Sequence, residues 1–200
     1  MALRSPFPQA KPVAQIEGKL VRLRAPVASD YAAWAKLRGD SREFLTPWEP
    51  TWAPDELSRA GYRRRLRRYQ QAMRDGTGQM FFIFDRKSDE LVGGCQLSNI
   101  RQGAAQSAAS LGYWTGKAFA GKGLMSDAVV TLLRHALGPM ALHRIEAACL
   151  PTNDASRRVL TKAGFTAEGT ARKYLKINGE WRDHLLFAVI AGDAIPATKT

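Results

Sequence analysis

Apolar and charged residues alternate along Glu17–Arg24 (EGKLVRLR), the period of a half-buried strand. Ser29 or Asp30 can cap a helix that runs to about Arg38, with Trp34 and Leu37 on its inner face. Phe44–Pro50 (FLTPWEP) holds two prolines and two large aromatics, and reads as an unusually apolar loop. Pro54 suits the first turn of a second helix, where Tyr62, Leu66, Tyr69 and Met73 fall at helical spacing. Met80–Phe84 (MFFIF) is wholly apolar, so it predicts a central strand covered on both faces. Leu91–Leu97 follows as a strand with a bulge expected at Gly93-Gly94, then Ala108–Trp114 as another. Gly121–Leu137 predicts a helix with Met125, Val129, Leu132 and Leu133 inward. His143–Leu150 is a strand, and Asn153 caps a short helix that ends at Gly164. Phe165–Ile177 and Glu180–Ile190 are strands joined by Asn178-Gly179, a strong hairpin signal.

The order β-α-α-β-β-β-α-β-α-β-β predicts an α/β sheet with helices on both faces. The chain has 200 residues, 45% of them hydrophobic and 24% charged, which suits one domain with a sizeable core. The expected division is a flexible tail over 1–16, a domain over 17–190 and a C-terminal tail over 191–200. No apolar run reaches the ~18 residues of a membrane helix, and Met1–Pro12 lacks the apolar core of a secretory signal. Cys95 and Cys149 lie far apart and read as buried strand residues of a protein in the reducing cytoplasm. His135, His143 and His184 have no ligand spacing, so no metal site is expected. The net charge of +12 attracts polyanions: nucleic acid, the ribosome or a phosphorylated cofactor.

The chemistry concentrates in Leu111–Met125 (LGYWTGKAFAGKGLM), which is a strand, a glycine-bearing loop and a helix start. Amide groups uncovered at Gly121 and Gly123, with the helix dipole and Lys117 and Lys122, suit a pyrophosphate. A turn with no ligand fits the same residues. The succession AGKGLM (120–125), HRI (143–145), Asn153 with Ser156, and Ala163-Gly164-Phe165 resembles the GNAT acetyltransferases over about residues 17–190. FLTPWEP (44–50), LGYW (111–114) and NGEWRDH (178–184) are similar to the branch that acetylates the N-terminal alanine of ribosomal proteins.

That resemblance implies a GNAT-like, mostly antiparallel mixed sheet with a central splayed strand pair. It implies acetyl-CoA as cosubstrate, held at Trp114, Phe119, Ala120, Gly121, Lys122, Gly123, Leu124 and Asn153. It implies as acceptor a protein N-terminus, of a ribosomal protein, flanked by Trp48, Glu49 and Trp181. Ser156 is the candidate general acid, with helix capping as its alternative role. The chain departs from the family pattern at Ala118, where Gln or Arg is usual. It departs again at Leu160, where many members carry a tyrosine acid, and at Leu175, where one related class carries a glutamate base. Glu49 and Glu146 are the candidate bases; each can equally be an ordinary loop or surface residue. A protein α-amine, with a pKa of about 7.7–8.0, needs less help from a base than a lysine at about 10.4. Two other functions remain open: acetylation of a small amine, and a non-catalytic RNA- or ribosome-binding role. The arginines at 63–68 are either a solvated helix face or a contact for ribosomal RNA.

Overall fold

The computed structural model describes residues 15–101, 103 and 107–196. The expected N-terminal tail up to residue 14, and residues 197–200, lie outside the described residues. Eight strands form one sheet: β1 (Gln15–Glu17), β2 (Val21–Arg24), β3 (Gln79–Asp85), β4 (Leu91–Arg101), β5 (Ala108–Thr115), β6 (Arg144–Cys149), β7 (Thr166–Ile177) and β8 (Glu180–Ile190). Their spatial order is β1-β2-β3-β4-β5-β6-β8-β7. The β5–β6 pair is parallel and every other pair is antiparallel. The helices are α1 (Tyr31–Asp40), α2 (Arg42–Leu45), α3 (Arg59–Arg74), α4 (Leu124–Leu137) and α5 (Asp154–Lys162).

Strand alternation sorts the apolar residues into two layers. On one face Phe81, Ile83, Cys95, Leu97, Ala109, Leu111, Ile145 and Val189 pack under α4, and Leu160 of α5 joins them. On the other, Phe82, Phe84 and Leu91 pack under Trp34 of α1 with Tyr62 and Leu66 of α3. α4 is buried nearly all round, more widely than the stripe of four residues expected.

Several boundaries differ from the sequence reading. Glu17–Arg24 is two strands, because Gly18 closes a turn by donating its N–H to the Val21 carbonyl (2.8 Å). The sheet thus takes in Gln15 and Ile16, which the expected division placed in the tail. The apolar loop at 44–50 is α2 followed by a 3-10 turn over Thr46–Trp48, and only Glu49 and Pro50 are extended or irregular. α3 starts at Arg59 rather than near Pro54. Ser58 is its cap, its Oγ accepting the Gly61 N–H (3.0 Å). The bulge does fall at the glycine pair, where the register slips between Ile83 opposite Gly93 and Phe84 opposite Leu91. At Gly94 a Cβ would sit 2.6 Å from the Trp114 indole nitrogen, so only glycine admits that ring. Beyond β8, Ile195 packs on the larger core and the Pro196 carbonyl accepts from Arg134 (3.3 Å).

The feature that positions the site is the short β5–β6 ladder. It runs only from Ala108 opposite Arg144 to Leu111 opposite Ala147. β4 stays with β5 to Thr115. The β6 edge of Gly112–Thr115 therefore carries backbone groups outside any ladder, at the mouth of a V.

The start of α4 is tied to the first hairpin. Asp127 is 1% exposed, and its carboxylate accepts the backbone N–H groups of Lys19 (3.3 Å), Leu20 (2.7 Å) and Val21 (3.1 Å). Removing it takes the acceptor from these three N–H groups, of which that of Val21 is buried. Asp127→Ala is expected to lower the unfolding free energy by about 2–4 kcal/mol, read from urea denaturation. A loss below ~0.5 kcal/mol would mean that water replaces the carboxylate.

Candidate active site

β5 leaves the ladder at Leu111 and leads through Gly116 into a 3-10 turn at Lys117–Phe119. Ala120-Gly121-Lys122-Gly123 follows, with φ of +77° at Gly121 and +80° at Gly123. Those left-handed angles stop α4 from starting at Gly121, as the sequence had suggested, and move its first residue to Leu124. A Cβ on Gly121 would meet nothing within 4 Å, and one on Gly123 only Leu20 at 3.9 Å, so the loop surface is open. The Asp127 N–H makes the first bond of the helical turn, to the Gly123 carbonyl (3.0 Å). The amides of Leu124, Met125 and Ser126 come before it, at the positive end of a 14-residue helix. Lys117 and Lys122 are exposed beside them, with the Lys122 ammonium over the Phe119 ring (5.4 Å). Ser41, 2% exposed, fixes the loop from the other side by accepting the Lys117 N–H (2.9 Å).

α5 closes the α4 side of the opening. The Asn153 side-chain oxygen caps it through the Ser156 N–H (3.0 Å), so that oxygen serves the helix. The Ser156 hydroxyl lies 2.7 Å from the hydroxyl of Tyr113, two residues along β5 past the last position paired with β6. Burial pushes the Tyr113 phenol well above its ordinary range, and its bond to Ser156 offsets only part of this. Tyr113 is therefore protonated at neutral pH, and either hydroxyl of the pair can donate to the other. Burial also raises the Cys149 thiol, at the end of β6. Leu160 is fully buried in the core and faces no opening.

The other side of the opening is walled by aromatic and charged groups. Trp114 turns its indole to this face, away from the glycine loop, where the Arg38 guanidinium stacks on it (4.9 Å). Arg38 also stacks on Trp52 (4.4 Å) and is 5% exposed. Glu49 holds this cation through both carboxylate oxygens (3.1 and 2.6 Å) and accepts the Trp52 indole N–H (2.7 Å). Three donors thus converge on Glu49. The Glu49 carbonyl accepts the Asn178 N–H (3.0 Å), which ties the PWEP loop to the β7–β8 turn. Trp48 is 37% exposed and Trp181 60% exposed, on the segments joined by that bond. Glu146 sits opposite Ser110 in the paired part of β5–β6, next to Arg144 (2.9 Å) and Arg101 (3.9 Å).

The sequence reading missed Arg38, Ser41, Trp52, Tyr113 and His184. His184 is 3% exposed on β8 and has no local motif beyond its place in NGEWRDH. Its Nδ1 lies 3.0 Å from the Arg182 carbonyl oxygen. No group of three or more His, Cys, Asp or Glu able to hold a metal occurs among the described residues. No helix among them is long and apolar enough to cross a membrane.

Residues 21–166 match the acetyltransferase (GNAT) domain family. A probable N-acetyltransferase of Bacillus subtilis, YjcK, is 38% identical over 178 residues, covering 89% of this chain and 98% of its own. The ribosomal protein uS5-alanine N-acetyltransferase of Escherichia coli is 35% identical, covering 88% of this chain and 91% of its own. The structure of Mycobacterium smegmatis RimJ in complex with CoA-disulfide superposes with a TM-score of 0.84 at 32% identity, over 91% of this chain and 89% of that one. With the splayed β5–β6 pair and the glycine loop before α4, these matches place the chain in the GNAT acetyltransferase family, as an acetyl-CoA-dependent N-acetyltransferase of the ribosomal-protein type.

Proposed function

We propose that this enzyme moves the acetyl group of acetyl-CoA to the N-terminal α-amine of a ribosomal protein, with alanine as the first residue. The observation that carries the reading is the opening itself. It has an anion cradle and a hydroxyl pair on its α4–α5 side, and an aromatic wall on the other. The near full-length match to an enzyme named for the alanine of uS5 supports the acceptor. The exposed arginines of α3 suit an acceptor already carried on RNA, which would add ribosomal RNA as a contact.

In this reading the amides at 121–126, with Lys117 and Lys122, hold the pyrophosphate of acetyl-CoA. The free edge of Gly112–Thr115 offers backbone groups to the rest of the cosubstrate, as an unpaired strand edge does for any extended ligand. The neutral amine forms an N–C bond at the thioester carbonyl, and the C–S bond breaks. Ser156 gives the departing sulfur its proton and regains one from solvent, while the hydrogen bond with Tyr113 holds the serine hydroxyl in place. Glu49 is already occupied by Arg38 and Trp52, so its role is to hold the wall rather than to take a proton.

Three outcomes are expected. Gly123→Asp places a side chain and a negative charge at the cradle, and should weaken CoA binding at least ~10-fold by calorimetry, about 1.4 kcal/mol. Unchanged affinity in the folded variant would move the cofactor site elsewhere. Ser156→Ala should lower kcat by roughly 10²–10⁴-fold with little change in acceptor KM, because its proton is needed only as the C–S bond breaks. Wild-type turnover would leave Ser156 as a capping-turn residue. Peptides that differ only in residue 1 and carry an internal lysine should be acetylated at the α-amine, located by mass spectrometry. Ala should exceed Leu clearly, and Ala and Ser should be separated less, since one small group is worth only ~1–3 kcal/mol. Acetylation mainly on lysine, or equal rates for Ala and Leu, would overturn the acceptor.

A further inference from the structure

Both carboxylates near the opening already have cationic partners. Glu49 accepts from Arg38 and Trp52, and Glu146 is flanked by Arg144 and Arg101. His184 differs from both. A carbonyl oxygen only accepts hydrogen bonds, so the 3.0 Å contact with the Arg182 carbonyl requires a hydrogen on Nδ1. In the neutral ring the lone pair then lies on Nε2. Nε2 makes no hydrogen bond among the described residues and is not one of their fully enclosed polar atoms.

The sheet register gives the direction of this ring. Leu186 lies opposite Ala148, Glu146 lies opposite Ser110, and side chains two apart share a face. His184, Leu186, Ala148, Gly112 and Trp114 are therefore on one face. Leu185, Cys149, Leu111 and Tyr113 are on the other, with Ser156 against Tyr113. The last β6–β8 pair is Cys149 opposite Leu185, so His184 stands one residue past the ladder, at the open end of the V. The T-shaped contact with Tyr174 of β7 (5.8 Å) holds the ring upright.

We propose that His184 is the general base of the reaction. This rests on the acetyl-transfer reading above. As the amine nitrogen bonds to the thioester carbon, Nε2 takes the proton that nitrogen loses. The electron pair of the C–S bond leaves with the sulfur, which takes its proton from Ser156 on the opposite face. The incoming and outgoing protons thus travel on opposite sides of the sheet. The titratable and charged groups around the ring are Tyr174 from β7, Arg182 with its partner Glu180 on β8, Asp183, whose carboxylate is turned to the Lys173 N–H (2.8 Å), and Glu49 with Arg38 across the loop contact.

His184→Gln nearly fills the space of the ring, with its amide at the Nε2 position, but it has no basic nitrogen. Its kcat/KM should fall by ~10²–10⁴-fold, with melting temperature and CoA affinity retained. The wild type needs both a neutral amine and a neutral imidazole. Below both titrations log(kcat/KM) should therefore fall by two per pH unit, and in the variant by one. His184→Ala should recover part of its rate with added imidazole. A folded His184→Gln enzyme with the wild-type rate and slope would overturn the proposal. If the wild type does not acetylate peptide α-amines, the acceptor reading fails first. The base is then tested on its own by ¹⁵N NMR of the resting enzyme at pH 8. A ring protonated at Nδ1 supports the assignment, and one protonated at Nε2 overturns it.

Discussion

Everything in this molecule that bears on chemistry follows from one unfinished ladder. β5 and β6 run parallel for four residue pairs and then part, while β4 keeps its grip on the outer edge of β5 through Thr115. A strand edge left unpaired inside a sheet costs free energy unless another partner satisfies it. The fold holds that edge open from both sides. Gly94 lets the Trp114 indole lie against β4, and Arg38 then fills the space above it. On the other face Tyr113 reaches Ser156 on α5. In the open arrangement each of these side chains has its partner in place. The opening is therefore part of the packing, and a ligand that bonds to the edge of Gly112–Thr115 meets a strand already in place.

The long periodic segments of the sequence were readable because their signal is local. Met80–Phe84, the last hairpin and the burial of both cysteines follow from alternation and residue type alone. Errors fell where two local signals overlap. The alternation over Glu17–Arg24 continues through a tight turn, so it hid the break at Gly18. The apolar pattern of α4 extends back to the glycine loop, whose positive φ angles cannot be seen in a hydrophobic period. Within the site, the GKG loop and the Asn153 cap were legible for the same reason. Tyr113 and Ser156 are 43 positions apart, Arg38 and Glu49 come from different elements, and His184 depends on the β6–β8 register. Such pairs exist only once the sheet is assembled, and a single sequence carries no trace of them.

Charge is arranged differently inside and out. The buried or half-buried arginines among the described residues each have an acidic partner: Arg22 with Asp89, Arg24 with Asp30, Arg38 with Glu49, Arg65 with Glu56 and Arg144 with Glu168. The excess of positive charge is left to the surface, where it acts at long range and is screened by salt. This division explains why the net charge of +12 says little about the reaction. It bears on encounter with a polyanion, whereas the field at the opening is set by a few local groups.

The Arg38–Glu49 pair shows what those groups contribute. Removing two charges from water is costly, and a buried ion pair is seldom the most stable choice for its space. Here the pair does something an apolar substitute cannot. Arg38 is flat, so it fits between Trp52 and Trp114, and its fork fixes Glu49 from one side while the Trp52 N–H fixes it from another. With its carboxylate locked, Glu49 offers its carbonyl to Asn178 in a constant position. The PWEP loop and the β7–β8 turn are thus joined in one wall, bearing Trp48 and Trp181. In the proposed acceptor reading such a wall selects by shape, because its charges are already matched to one another and have little left for a substrate. Discrimination at such a wall falls on size, so it should be sharpest against long side chains and weakest between residues that differ by one small group.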